Sequence, residues 1–261
     1  MSRWTSVHVD ERPSRRHINY DSTLRLDKPV YRYMQASHLI EVLTTAKFSF
    51  SYVGSWPDPF EQWWHSILFN EGSPLFGARA FASCWTWRNR DEPFWRLYEN
   101  RCDHRDADGR FLPKGAPPVR IKSTVGKIID ALALAIRGFE TKVFVAPVGY
   151  TTTKELLRYR SSLVREPAEI AREAAHALTY KRLGFRFEQE VRLLWVDRSP
   201  ENPGRRLVPV DPASLIEEIM IGPVLEADVP RAIELRRDLE AAGFKGSIKR
   251  SLMYQAPTAR R

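Results

Sequence analysis

Apolar and polar positions follow two rhythms along this chain, and the two are interleaved rather than segregated. Period-two alternation, with aromatic and β-branched residues, predicts strands at "PVYRYM" (29–34), "FSFSYV" (48–53) and "RAFASCWTW" (79–87). It also predicts them at "TKVFVAPVGYTT" (141–152), "GFRFEQEVRLLW" (184–195) and "EEIMIGP" (217–223), and "SIKRSLMY" (247–254) closes the chain. Helical spacing appears in "ASHLIEVLTTAK" (36–47), through Leu39, Ile40 and Leu43, and again in "FEQWWHSILF" (60–69), "EPFWRLYENR" (92–101) and residues 166–182.

"STVGKIIDALALAIRG" (123–138) sets Val125, Ile128, Ile129, Leu132 and Ile136 on one face, with Ser123 as N-cap and Gly138 at the exit. "ADVPRAIELRRDLEAAG" (227–243) has Asp228 at its start, apolar Ala232, Leu235, Leu239 and Ala242, and Gly243 at its end. Turn residues fill "GSWPDP", and residues 102–119 are rich in Asp, Gly and Pro, as in an exposed loop. Residues 1–28 lack periodicity and read as a flexible basic arm, 29–255 as one domain, and 256–261 as a basic tail. Strands and helices mix without strict alternation, which predicts an α+β single domain with a mixed or antiparallel split sheet and flanking helices.

Charge and cysteine content narrow the picture. The 261 residues carry a formal net charge of +9, which favours a polyanionic partner such as nucleic acid. The clearest block is "GFKGSIKRSLMYQAPTARR" (243–261), with five basic residues and no acid. No stretch approaches the roughly 18 apolar residues of a membrane span, and the N-terminus has no apolar signal segment, so a cytoplasmic location without membrane attachment is expected. Cys84 and Cys102 have neither zinc spacing nor a second pair and are expected to be free thiols.

Candidate chemistry centres on "FEQEVR". On a strand, Glu188, Glu190 and Arg192 share one face. The face reads equally as a solvated surface with an ion pair or as an active site. As chemistry, a Glu-x-Glu on a strand edge suits cleavage of a glycosidic bond, whose oxocarbenium-like transition state a carboxylate stabilises. Glu190-x-Arg192 together with Asp58 instead suggests a metal-dependent nuclease, although the lysine usual in that pattern is missing. In "WPDPFE" (56–61), Asp58 and Glu61 flank a proline, and Asp58 either caps the following helix or contacts substrate or metal. Six tryptophans fall between 56 and 95, as core or as a stacking platform. No metal-ligand spacing, phosphate loop or nucleophile-elbow motif is present.

Several separated segments, taken in order, resemble an uncharacterised bacterial family, domain of unknown function twenty-nine seventy-one. They are Tyr31-Arg32-Tyr33 before a helix, an aromatic-Ser strand into Asp58-Pro59-Phe60-Glu61, Cys84-Trp85-Thr86 before a helix with Trp95 and Tyr98, Phe185 to Arg192, and Ile219 to Pro223. Their order is also similar to the ADP-ribosyltransferase fold. That resemblance implies NAD as substrate, Tyr31, Arg32, Ser51 and Tyr52 as NAD contacts, Glu190 as the catalytic carboxylate and Glu188 on the acceptor side. The Ser-Thr-Ser motif of the best-known branch is absent. The resemblance implies no metal and a nucleic-acid or protein acceptor. It further implies a toxin or phage-defence effector with an antitoxin or defence-system partner. A nuclease using Asp58, Glu61 and Glu190, and a non-catalytic nucleic-acid-binding module, remain the alternatives.

Overall fold

A computed structural model describes residues 4–5, 18–69, 71, 75, 77–89, 91–99, 117–136, 142–161, 170–197, 204–224 and 229–254. The class is α+β with mixed strand pairing and flanking helices, and the chain divides into two compact units. The expected 102–119 loop before Pro117, Cys102, Gly138, Asp228 and the 256–261 tail lie outside the described residues.

The first unit comprises residues 1–28, 48–87 and 124–210. Its sheet runs β1 (Trp4–Thr5), β2 (Ile18–Asp21), β7 (Lys142–Pro147), β10 (Glu190–Asp197) and β5 (Arg79–Thr86). β2 is parallel to β7, whereas β10 is antiparallel to both β7 and β5. β4 (Lys47–Tyr52) pairs with β5 and with β11 (Arg205–Pro209).

β10 is buried on both faces, which is why its apolar run is nearly continuous rather than alternating. One face, through Ala82, Phe144, Ala146, Leu194 and Val196, packs with Trp64 and Leu68 of α2 (Pro59–Phe69) and with Ala174 and Ala177 of α6 (Ile170–Ala177). Trp64, Trp85 and Trp95 are core residues.

Two expectations change here. The proposed arm is not wholly an arm, because Ile18 and Leu24 bury apolar surface and β2 takes sheet hydrogen bonds from β7. Helix α4 (Val125–Ala135) is capped by Thr124, whose hydroxyl accepts from the Lys127 amide; Ser123 is buried instead and donates to the Leu215 carbonyl at 2.6 Å. Ser123 lies within β6 (Val119–Thr124), so the cap position at the helix boundary falls to Thr124.

The second unit comprises residues 29–47, 88–123 and 211–261. β3 (Pro29–Met34), β6 (Val119–Thr124), β12 (Glu218–Ile221) and β13 (Ser247–Arg250) lie in that order; β12 is antiparallel to β6 and parallel to β13. The unit also holds α1 (Ala36–Thr45), α3 (Glu92–Glu99) and α8 (Val229–Ala241). α8 ends as the sequence predicts, at Gly243 with φ 101°. The Phe244 amide returns to the Leu239 carbonyl and the Gly243 amide to that of Glu240. Among the described residues no helix is long and apolar enough to cross a membrane.

Candidate active site

The predicted strand does not begin where alternation placed it. Leu183–Glu188 form a 3-10 turn, Gln189 adopts the left-handed region at φ 42°, and β10 starts only at Glu190. Glu188 and Glu190 therefore do not share a strand face. Alternation alone misses this break, because Phe185, Phe187 and Gln189 keep the period while the backbone turns. Two bonds to the neighbouring strand fix the turn: Thr86 Oγ1 donates to the Glu188 carbonyl at 2.6 Å, and the Trp87 amide donates to that of Gln189 at 3.1 Å.

The face is not a solvated surface either. Arg192 is fully buried and Glu190 is 4% exposed. Arg192 Nε donates to Glu190 Oε1 at 2.8 Å and Nη2 to Oε2 at 3.0 Å, a two-pronged pairing that fixes the carboxylate plane. Arg192 Nη2 also reaches Glu61 Oε1 at 2.7 Å, Nη1 donates to the Leu178 carbonyl, and the guanidinium lies 4.6 Å from the Trp56 ring centre.

Lys181, on β9 (Tyr180–Arg182), completes the cluster: its Nζ stands 2.6 Å from Glu188 Oε2, 3.0 Å from Glu190 Oε2 and 3.8 Å from Glu61 Oε1. Glu188 and Glu190 thus converge on one lysine although the turn separates their backbones. The Tyr150 hydroxyl accepts the Glu190 amide at 2.8 Å, satisfying the first donor of the strand.

Electrostatics follow from this packing. Burial opposes ionisation of Glu190, but the Arg192 and Lys181 charges and hydrogen bonds from Arg192 and the Cys84 thiol outweigh it and hold the carboxyl well below its ordinary range. Glu188 goes the other way: burial, with the Glu190 charge, raises it despite Lys181. The Cys84 thiol, of an exposed residue on β5 opposite Arg192, is pushed up by the surrounding protein and by the Glu190 charge. Three carboxylates face two cations, leaving one formal negative charge in excess.

A carboxylate has about four acceptor positions. The two cations take three at Glu190. The fourth is the position an incoming hydroxyl can take.

Solved structures offer distant neighbours. The chain is similar to Thermus sp. 2.9 DarT in complex with ADP-ribosylated ssDNA, at 12% identity and a TM-score of 0.39, over 88% of this chain and 96% of that one. It is similar also to the same protein in complex with NAD+, at 14% identity and a TM-score of 0.35, over 88% and 98%. No family model and no curated protein matches the chain.

The remaining predicted residues fall in different places. Asp58 caps α2, its Oδ1 accepting the Phe60 amide at 2.9 Å, and the same oxygen pairs with Arg182 Nη2 at 2.9 Å. Glu61, from the first turn of that helix, joins the buried cluster. Ser51 pairs with Ala82 and Tyr52 with Phe81, whereas Glu190 pairs with Thr86. That separation is about 13–16 Å along β5, so the structure does not bring Ser51 or Tyr52 against Glu190. Tyr52 packs edge-on to His65 at 5.0 Å. Tyr31 and Arg32 stand on β3 in the second unit, Arg32 half-buried and Tyr31 beneath the Arg120 guanidinium at 4.6 Å.

Sequence reasoning missed Lys181, which it placed in a helix, and the part played by Cys84. A lysine just before "GFRFEQE" is too common a pattern to have pointed to either. Among the described residues no group of three or more His, Cys, Asp or Glu side chains is arranged to hold a metal ion.

Proposed function

We propose that this chain is an NAD-using ADP-ribosyltransferase that breaks the nicotinamide–ribose bond and transfers ADP-ribose to a nucleic-acid or protein acceptor, as a toxin or defence effector would. The observation that supports it best is a buried, ionised Glu190 in a cluster with one more carboxylate than cation. The order of the sequence motifs supports it independently.

Breaking that bond builds positive charge at the anomeric carbon, and a fixed carboxylate hydrogen-bonded to the 2′-hydroxyl stabilises it as it develops. Arg192 and Lys181 hold the carboxylate still, so no reorganisation is required when the charge appears. Glu188, with its raised proton affinity, suits the acceptor side, where a base takes the proton of the incoming nucleophile. Tyr31, Arg32, Ser51 and Tyr52 remain the proposed NAD contacts.

The test is nicotinamide release from NAD by purified protein, with and without single-stranded DNA, RNA or lysate protein, for wild type and Glu188→Gln. The expected outcome is release by wild type and, in Glu188→Gln, transfer impaired more than hydrolysis. No release under any condition would refute the proposal, and strand cleavage lost on chelation would favour the nuclease.

A further inference from the structure

The second unit contains a cavity of about 250 Å³ lined by Tyr31, Asn89, Arg120, Lys122, Glu218, Met220 and Lys249. Three of these carry positive charge and one negative. Arg120 is 1% exposed, and its position is over-determined. Nη1 donates to the Asn89 backbone and side-chain oxygens, Nη2 donates to Glu218 Oε1 at 3.0 Å, and the guanidinium covers the Tyr31 ring. Its Nε is buried without a hydrogen-bond partner among the described residues.

Glu218 is shared, because its other oxygen takes Lys249 Nζ at 2.6 Å; Lys122 leans on Glu217, outside the cavity lining, at 3.0 Å. With Asn89 Oδ1 occupied by Arg120, the amide group of Asn89 is left to donate. The donors at this cavity therefore outnumber its acceptors.

We infer that this cavity binds a phosphate monoester on a small molecule. A phosphate monoester carries about −1.5 to −2 charge and three strong acceptor oxygens at neutral pH. Those match the donors of Asn89, Lys122 and Lys249, with Arg120 adding its charge beneath them. Tyr31 is also among the proposed NAD contacts, but phosphate binding rests on the cations and the Asn89 amide of this cavity and does not depend on the reaction proposed above.

Calorimetric titration of the full chain with a 5′-mononucleotide, the matching nucleoside, inorganic phosphate and an oligonucleotide lacking terminal phosphate tests this. Lys122 and Lys249 are partly exposed, with side-chain exposures of 32% and 58%, so Lys122→Gln and Lys249→Gln leave the fold intact. The expected result is binding of the mononucleotide, competition by inorganic phosphate, no binding of the nucleoside, and about tenfold weaker binding for each single variant, a loss of about 1.4 kcal/mol. Glu190→Gln, which stops the proposed chemistry, should bind the mononucleotide as wild type does. Equal affinity for the nucleoside, wild-type affinity in the double lysine variant, or an oligonucleotide binding as tightly as the mononucleotide would each overturn the inference.

Discussion

Replacing Glu190 by Gln keeps the shape of the side chain and removes one charge from the buried cluster. Arg192, fully buried, then keeps only Glu61 as a close charged partner, and Lys181 keeps Glu188 and the longer contact to Glu61. Breaking a buried ion pair from one side typically costs about 3–5 kcal/mol. Loss of an electrostatic stabiliser of the transition state costs about 10²–10³ in rate.

The two effects separate by assay. Urea denaturation gives the stability change, and nicotinamide release normalised to folded protein gives the rate. The pH dependence supplies a further check. The folded-state pKa of Glu190 is depressed, so its contribution is fully present above the ordinary carboxylate range, at about pH 4.3. It is lost only as pH falls through the lower folded value. The stability gap between wild type and Glu190→Gln should therefore be flat from about pH 5 to 9 and close in stronger acid. A gap within about 1 kcal/mol, as exposed ion pairs give, or a folded variant with wild-type activity, would refute the reasoning.

Other substitutions read out neighbouring parts of the structure. Lys181→Met leaves three carboxylates facing a single guanidinium, so Glu188, already raised, should titrate closer to neutrality, which carbon-detected NMR of the carboxyl would register. Asp58→Ala removes a cap and should lower stability by about 0.5–2 kcal/mol. Asp58→Asn keeps the cap and loses only a pairing with the half-exposed Arg182, so thermal melts should place it within about 1 kcal/mol of wild type. At Gly243 an added Cβ meets nothing within 4 Å, but φ is 101°, so Gly243→Ala should cost about 1–2 kcal/mol in chemical denaturation from backbone strain alone.

Local chemistry made much of this protein legible in its sequence. β3 falls on "PVYRYM" because alternating aromatics after a proline have few other conformations, and Asp58 caps α2 because Pro59 fixes the first helical residue. Gly243 closes α8 because few other residues tolerate that φ. These signals act within a few residues, so a single sequence carries them.

What failed lies at longer range. Thr124 rather than Ser123 caps α4 because sheet pairing carries β6 through Ser123, whose buried hydroxyl donates to a carbonyl 92 residues away. The period continues through Gln189 where the backbone turns, and bonds from Thr86 and Trp87 hold that turn. The sequence singled out Glu188, Glu190 and Arg192, but not whether water or protein would surround them. Burial decided that, by bringing Glu61 from a helix, Lys181 from a short strand and Cys84 from β5 onto one pair of residues. An ion pair owes its strength to the medium around it, and that medium is made only when distant segments pack.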